Sequence, residues 1–300
     1  MASTKRAHSR RPSSHRDRGE RFVAPVLDAT WTSPYTPSSA EREANEKAIR
    51  SYVLRRQRPW AIAVGLIFLA SLALISVAWF VPVIVLLGVL IYGWRLSRQV
   101  KRIEERSTSL AGRFIEFFKP AGSPSERMRL VTVVDRLGAT FGIDAVSCFI
   151  VEERTYNAAL LASSGAHSLF VTSAMMRDFE LIELEGVVAH CMARQRLGML
   201  TRLSVASLDN VSSTDAQRMV GRGLSYRADE VAAAAIRYPL GLAGALARCE
   251  RQSPSVGSYF SSPAYDSSRW VWFNMHADRT PADLSDLDDV ALRSLALGEW

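Results

Sequence analysis

The chain is poor in cysteine. Three in 300 residues, Cys148, Cys191 and Cys249, are too few and too odd in number for a disulfide framework, and they fit a reducing compartment. It has no internal repeat, no Gly-rich phosphate loop and no paired-cysteine zinc signature. Aromatic residues are not interleaved with basic ones as single-stranded nucleic-acid sites require, so no specific nucleic-acid partner is expected. Residues 1–45 have little apolar periodicity and are rich in Ser, Arg, Pro and Thr. Such a segment cannot bury enough surface to offset the entropy of ordering, so a disordered basic tail is expected there. Residues 60–94 lack something else: 35 consecutive residues carry no charge at all.

What charge there is sits unevenly. The net charge is +7, and residues 1–59 account for all of it, with 13 Lys and Arg against 6 Asp and Glu. The clusters at Arg10-Arg11 and from Arg16 to Arg21 could hold anionic lipid or nucleic acid, or could simply be solvated beside a membrane.

A single helix over residues 60–94 would run about 52 Å, against a hydrocarbon core of roughly 30 Å. Pro82 lies just past its middle. The simpler solution is a transmembrane helical hairpin, residues 60–79 out and 81–94 back; a hairpin that dips in without crossing stays open. Trp60, Trp79, Phe80, Tyr92 and Trp94 fall where interfacial aromatic belts are expected. Both flanks are basic, Arg55, Arg56 and Arg58 before and Arg95, Arg98, Lys101 and Arg102 after. The positive-inside rule then puts both termini in the cytoplasm of a two-helix protein of the cell membrane, with the lipid bilayer as its first partner. A juxtamembrane helix over 46–59 leads in. A second one with a Pro/Gly/Ser linker, 95–127, leads out, and a folded domain occupies 128–300.

Within that domain, Leu130, Val133, Val134 and Leu137 share one helix face over 128–141, which Gly142 closes. Residues 146–151 (VSCFIV) and 168–172 (SLFVT) read as strands, joined by a polar connection with Asn157, Ala158 and Ala159. A central helix over 178–197 follows, with Phe179, Ile182, Val187, Ala189 and Ala193 at helical spacing and Gly198 as its stop. Residues 201–223 are polar and mixed, helix or loop. Residues 225–247 are an alanine-rich helix broken or ended at Pro239, with its apolar part too short for a bilayer. Acidic residues open a terminal helix over 283–297.

The central helix carries His190, Cys191 and Arg194. Zinc peptidases place H-E-x-x-H on such a helix, two histidines one turn apart for the metal and a glutamate to activate water. Here the same positions read H-C-x-x-R. The flanks extend the likeness. Residues 128–240 resemble the HtpX-like membrane zinc metallopeptidases of the gluzincin type. Asn157-Ala158 is similar to that family's "NAFA" segment, SLFVTSAMM to its strand and turn, and LIELEGVVAH to its run into the zinc helix. Tyr226-Arg227-Ala228-Asp229 is similar to the end of its E-Y-x-A-D segment. The resemblance implies an α+β, mostly helical fold: a membrane hairpin followed by a zincin-like domain with a small sheet. It also implies that Cys191 stands at the catalytic glutamate position, Arg194 at the second zinc ligand and Ser225 at the third. His190 is then the one retained ligand and Asp229 a residue behind the metal shell.

A guanidinium cannot ligate, and it sets a fixed charge against the metal's place. Cys191 projects about 100° away from His190 around the helix. No cofactor is therefore expected, and no catalytic residue. The expected role is a pseudopeptidase acting as a binding or regulatory module, its partner another membrane protein or a peptide in the remnant cleft. Three alternatives remain at this level: an active zinc endopeptidase with an atypical ligand set, a reactive Cys191 thiol activated by Arg194, and lipid or nucleic-acid binding through the tail. His190 is expected to bond Asp229, and Arg194 to pair with Asp229 or Glu185. His167 and Cys148 could complete a rearranged metal site in principle, but nothing in their spacing points to one.

Overall fold

The computed structural model describes residues 37–72, 80–163, 166–221, 223–275 and 290–299. Residues 1–36 of the expected tail, residues 73–79 of the apolar block and the first half of the expected terminal helix lie outside the described residues; residues 39–45, expected as part of the disordered tail, are instead the first turns of a helix.

The chain begins with two long helices, α1 (Ser39–Leu72) and α2 (Phe80–Thr108). α1 continues through Pro59, where separate juxtamembrane and membrane pieces were expected. The two helices lie side by side and antiparallel: the Tyr92 hydroxyl donates to Gln57 Oε1 (3.1 Å), and Gln57 Nε2 donates to Gln99 Oε1 (2.8 Å). Beyond those bonds the helices turn apolar side chains outward, among them Trp60, Leu66, Leu69, Ile84, Leu90 and Trp94. Among the described residues one helix, running on from Val83 in α2, is long and apolar enough to cross a membrane by length and composition.

The basic half of α1 is not a solvated lead. Ile49, Tyr52 and Val53 are buried, and Asn45 Nδ2 donates to the carbonyl of Leu197 (3.1 Å). Helix α3 (Leu110–Phe117) likewise buries Leu110, Ala111 and Phe114 in the main core. The boundary expected at 128 is therefore corrected: segments on both sides of the apolar block belong to the same core. The reason is a long-range contact. Phe114 stacks on Trp272 (centroids 5.3 Å apart), 158 residues later, a contact that no short window of sequence displays.

α4 (Pro124–Phe141) starts at a capping box, Ser123 and Glu126 bonding each other's backbone, and ends at Gly142 with φ +64°. The strands β1 (Val146–Val151), β2 (Ala158–Ser163) and β3 (Ala166–Thr172) form a sheet in the order β1-β3-β2, β3 parallel to β1 and antiparallel to β2. β2 was expected as a connection. Its sequence, AALLAS, has no β-branched residue, so propensity gives no strand signal, and pairing with β3 supplies it.

A short helix, α5 (Ser173–Asp178), precedes the central helix α6 (Leu181–Arg196). The expected helix over 178–197 is α6, beginning three residues later and ending one earlier. Phe179 is buried before α6 begins, and Ile182 faces outward. From Glu183 to Arg194 α6 is buried nearly all round, against β2, α4 and the helices α9 (Leu224–Ile236) and α10 (Pro239–Arg251). Between α6 and α9 come α7 (Leu200–Ala206) and α8 (Ser213–Val220). α11 (Pro263–Ser268) and α12 (Val290–Gly298) complete the chain, α12 packing on α10. The whole is α+β and mostly helical.

Gly186 and Gly241 set the α6–α10 distance. A Cβ on Gly186 would stand 2.8 Å from Leu242 Cα, and one on Gly241 would stand 2.6 Å from the Ile182 carbonyl oxygen. Gly186→Ala is expected to destabilise the fold by about 1–3 kcal/mol, since backbone must move to admit the methyl. A chemical denaturation midpoint equal to wild type would show that α10 yields freely.

Candidate functional site

α6 and α9 bring His190, Arg194, Ser225 and Asp229 together, all four buried. The first two sit one turn apart on α6, the other two one turn apart on α9. His190 Nδ1 lies 2.6 Å from Asp229 Oδ1, as expected from the sequence. Burial, followed by the charge of Arg194, pushes the His190 imidazole down to about 3 despite the adjacent Asp229. For Asp229, burial acts upward, but the Arg293 guanidinium and His190 outweigh it and hold the carboxyl down at about 2. The carboxylate can only accept, so the neutral imidazole carries its proton on Nδ1 and leaves a lone pair on Nε2. That Nε2 is buried without a hydrogen-bond partner.

The cation paired with Asp229 is Arg293 of α12, not Arg194. Arg293 Nε donates to Asp229 Oδ2 (2.6 Å) and its Nη2 to Oδ1 (2.9 Å), a two-point fork with the arginine 1 % exposed. The expectation for Arg194 is corrected. Its Nη1 donates to the backbone carbonyls of Val271 (3.1 Å) and Trp272 (3.0 Å), and its Nη2 to Ser225 Oγ (3.4 Å). Glu185 instead pairs with Arg136 (2.6 Å) on the α4 side.

Cys191 faces away from this cluster, toward β2, where burial raises its thiol to about 11 and the charges of Arg194 and Arg293 offset only part. The reactive-thiolate reading is overturned: in so dry a place the neutral thiol is favoured. Cys148 is also pushed up to about 11 by burial and by Asp135, and His167 is lowered chiefly by burial. Among the described residues no three His, Cys, Asp or Glu side chains are grouped as a metal would need.

The stretch after α11 closes the site. Trp272 bridges Ala159 on the free edge of β2, and the Phe273 N–H donates to the carbonyl of Ala158 (2.7 Å). Asn157 holds Asn274 at two points, Nδ2 to its carbonyl and Oδ1 from its N–H, each 2.9 Å. His190 meets the Phe273 ring edge to face and is 0 % exposed. Arg293 and the two carbonyls escaped the sequence reading. A lone arginine inside an apolar helix (VALRSLAL) was the only signal, and it names no partner.

Comparison of the chain with family models, with curated proteins and with solved structures finds no match in any of the three.

Proposed function

We propose that this chain is a membrane-anchored pseudopeptidase. It is a degenerate member of the HtpX-like zinc metallopeptidase family, and its zincin-like domain works as a binding or regulatory module. Its two apolar helices form a hairpin in the cell membrane with both termini in the cytoplasm. Outward-facing apolar side chains on α1 and α2 support the anchor. The observation that carries the reading is the reach of Arg194. Its guanidinium runs from the position matching the second zinc ligand to Ser225 at the position matching the third. The residues present do not fit a catalytic zinc. One imidazole nitrogen remains where three protein ligands are normal, no carboxylate stands in the position of the base, and a permanent cation sits in the site.

One feature favours the second reading, an active zinc endopeptidase with an atypical ligand set. His190 Nδ1 bonds a carboxylate while Nε2 is free, which is how a metal-ligating histidine is oriented.

Metal content separates the two. Full chain purified in detergent and dialysed against zinc is expected to retain none, and to leave casein intact. The triple variant Cys191→Glu, Arg194→His and Ser225→Glu is expected to hold about one zinc per chain, because it restores three ligands. Stoichiometric zinc in the wild type, with chelator-sensitive cleavage lost in His190→Ala, would reverse the assignment.

A further inference from the structure

On their side facing α7, α1 and α2 line an open groove of about 1170 Å³. From Arg42 to Leu54 it follows α1 for twelve residues, about 18 Å. Its end nearest the apolar block is formed by Leu54, Gly93 and Leu96. Leu54 is 58 % exposed and continues the outward-facing apolar surface of Trp60 and Trp94. A Cβ at Gly93 would meet nothing within 4 Å, so this end stands open.

The charges along the groove are ordered. About one turn from the apolar end come two cations, Arg50 on α1 and Lys101 on α2. One turn further come carboxylates, Glu46 on α1 with Glu104 and Glu105 on α2. Arg42 and Arg202 close the far end. Arg202 is already held there by the carbonyls of Met219 and Val220 and by Asn45. Apolar, then positive, then negative is the order a zwitterionic phospholipid complements: acyl chain, phosphate, ammonium. The bilayer imposes the same direction, with tails toward the hydrocarbon.

A headgroup that ends in a neutral glycerol gives Glu46 and Glu104 no cation to receive, and one that ends in an anion is repelled by them. A quaternary ammonium has no N–H to give a carboxylate, whereas a primary ammonium has three. Four residues of helix rise about 6 Å, a span that a two-carbon ethanolamine unit bridges between its phosphate and its amine. The Arg50–Glu46 pair (3.4 Å, both side chains 69 % exposed) gives way at little cost.

We propose that this groove binds one phospholipid with an ethanolamine headgroup. An acyl chain lies along Leu54, Gly93 and Leu96, the phosphate rests on Arg50 and Lys101, and the ammonium is received by Glu46 and Glu104. The inference rests on the membrane reading above.

The test is native mass spectrometry of the full chain in detergent, titrated separately with phosphatidylethanolamine, phosphatidylcholine and phosphatidylglycerol. One phosphatidylethanolamine per chain is expected, bound about tenfold more tightly than the other two. Arg50→Gln with Lys101→Gln is expected to weaken it about tenfold or more. Glu46→Gln with Glu104→Gln is expected to erase the preference over phosphatidylcholine. Gly93→Leu is expected to block binding; the two charge variants carry the test if it does not fold. Equal or tighter binding of phosphatidylglycerol or phosphatidylcholine overturns the proposal, as does binding that ignores both charge variants. A cross-link from position 50 to a second protein that lipid does not compete away also overturns it. Alkaline extraction of membranes tells the two failures apart. A chain that stays in the membrane pellet but binds no phosphatidylethanolamine sinks this inference alone, while a chain released to the supernatant sinks the anchor as well.

Discussion

Asp229→Ala is expected to destabilise the folded chain by about 3–5 kcal/mol, the range for removing one partner of a buried ion pair. The mutation removes the carboxylate that Arg293, 1 % exposed, meets at two points, and strips the Nδ1 proton of His190 of its acceptor. Arg293→Met is expected to cost a similar amount, because Asp229 then keeps only the imidazole. The double variant Asp229→Ala with Arg293→Met is expected to be more stable than the sum of the two singles, since neither charge is then stranded. Urea denaturation of the full chain in a mild detergent, followed by tryptophan fluorescence, reads all three. Strict additivity, or a loss below about 1 kcal/mol for Asp229→Ala, would mean that α12 does not seal the site through this pair.

The second large effect is on acid stability. The imidazole of His190 protonates near pH 6.5 when unfolded and only at about 3 when folded. Between those values the unfolded state holds the extra proton, so stability is full above pH 6.5 and falls as the pH drops toward 3. The shift corresponds to roughly 5 kcal/mol. Asp229 adds to this further down: its ion pair contributes above pH 3.8 and is lost as the pH falls through about 2. The change His190→Gln keeps an N–H for Asp229 but cannot titrate. It is expected to flatten the dependence between pH 6 and 4, read as the urea midpoint at each pH. Parallel slopes in wild type and variant would place the acid sensitivity elsewhere.

Both predictions depend on contacts of different legibility. His190 with Asp229 was legible through the resemblance alone, which set H-C-x-x-R on one helix against Y-R-A-D on another. Arg293 was not: it stands 64 residues from Asp229, and only the docking of α12 on α10 and α9 makes it a partner. The same holds for Arg194. Its sequence position suggested Asp229 or Glu185, and besides Ser225 it meets two carbonyls in a segment whose own pattern, RWVWFN, says nothing of α6.

Composition and periodicity alone determined the broad design: a charge-free block long enough for a membrane and flanked by arginines, an amphipathic helix opening a second part, two strands, and a buried helix with one histidine. These are local properties, written in spacing, capping and hydropathy. Only the tertiary structure decided which segments share the core, that β2 is a strand, that residues 271–274 seal its edge, and that Arg293 neutralises Asp229. Each of those depends on desolvation and long-range pairing, where a side chain's meaning comes from what is packed against it.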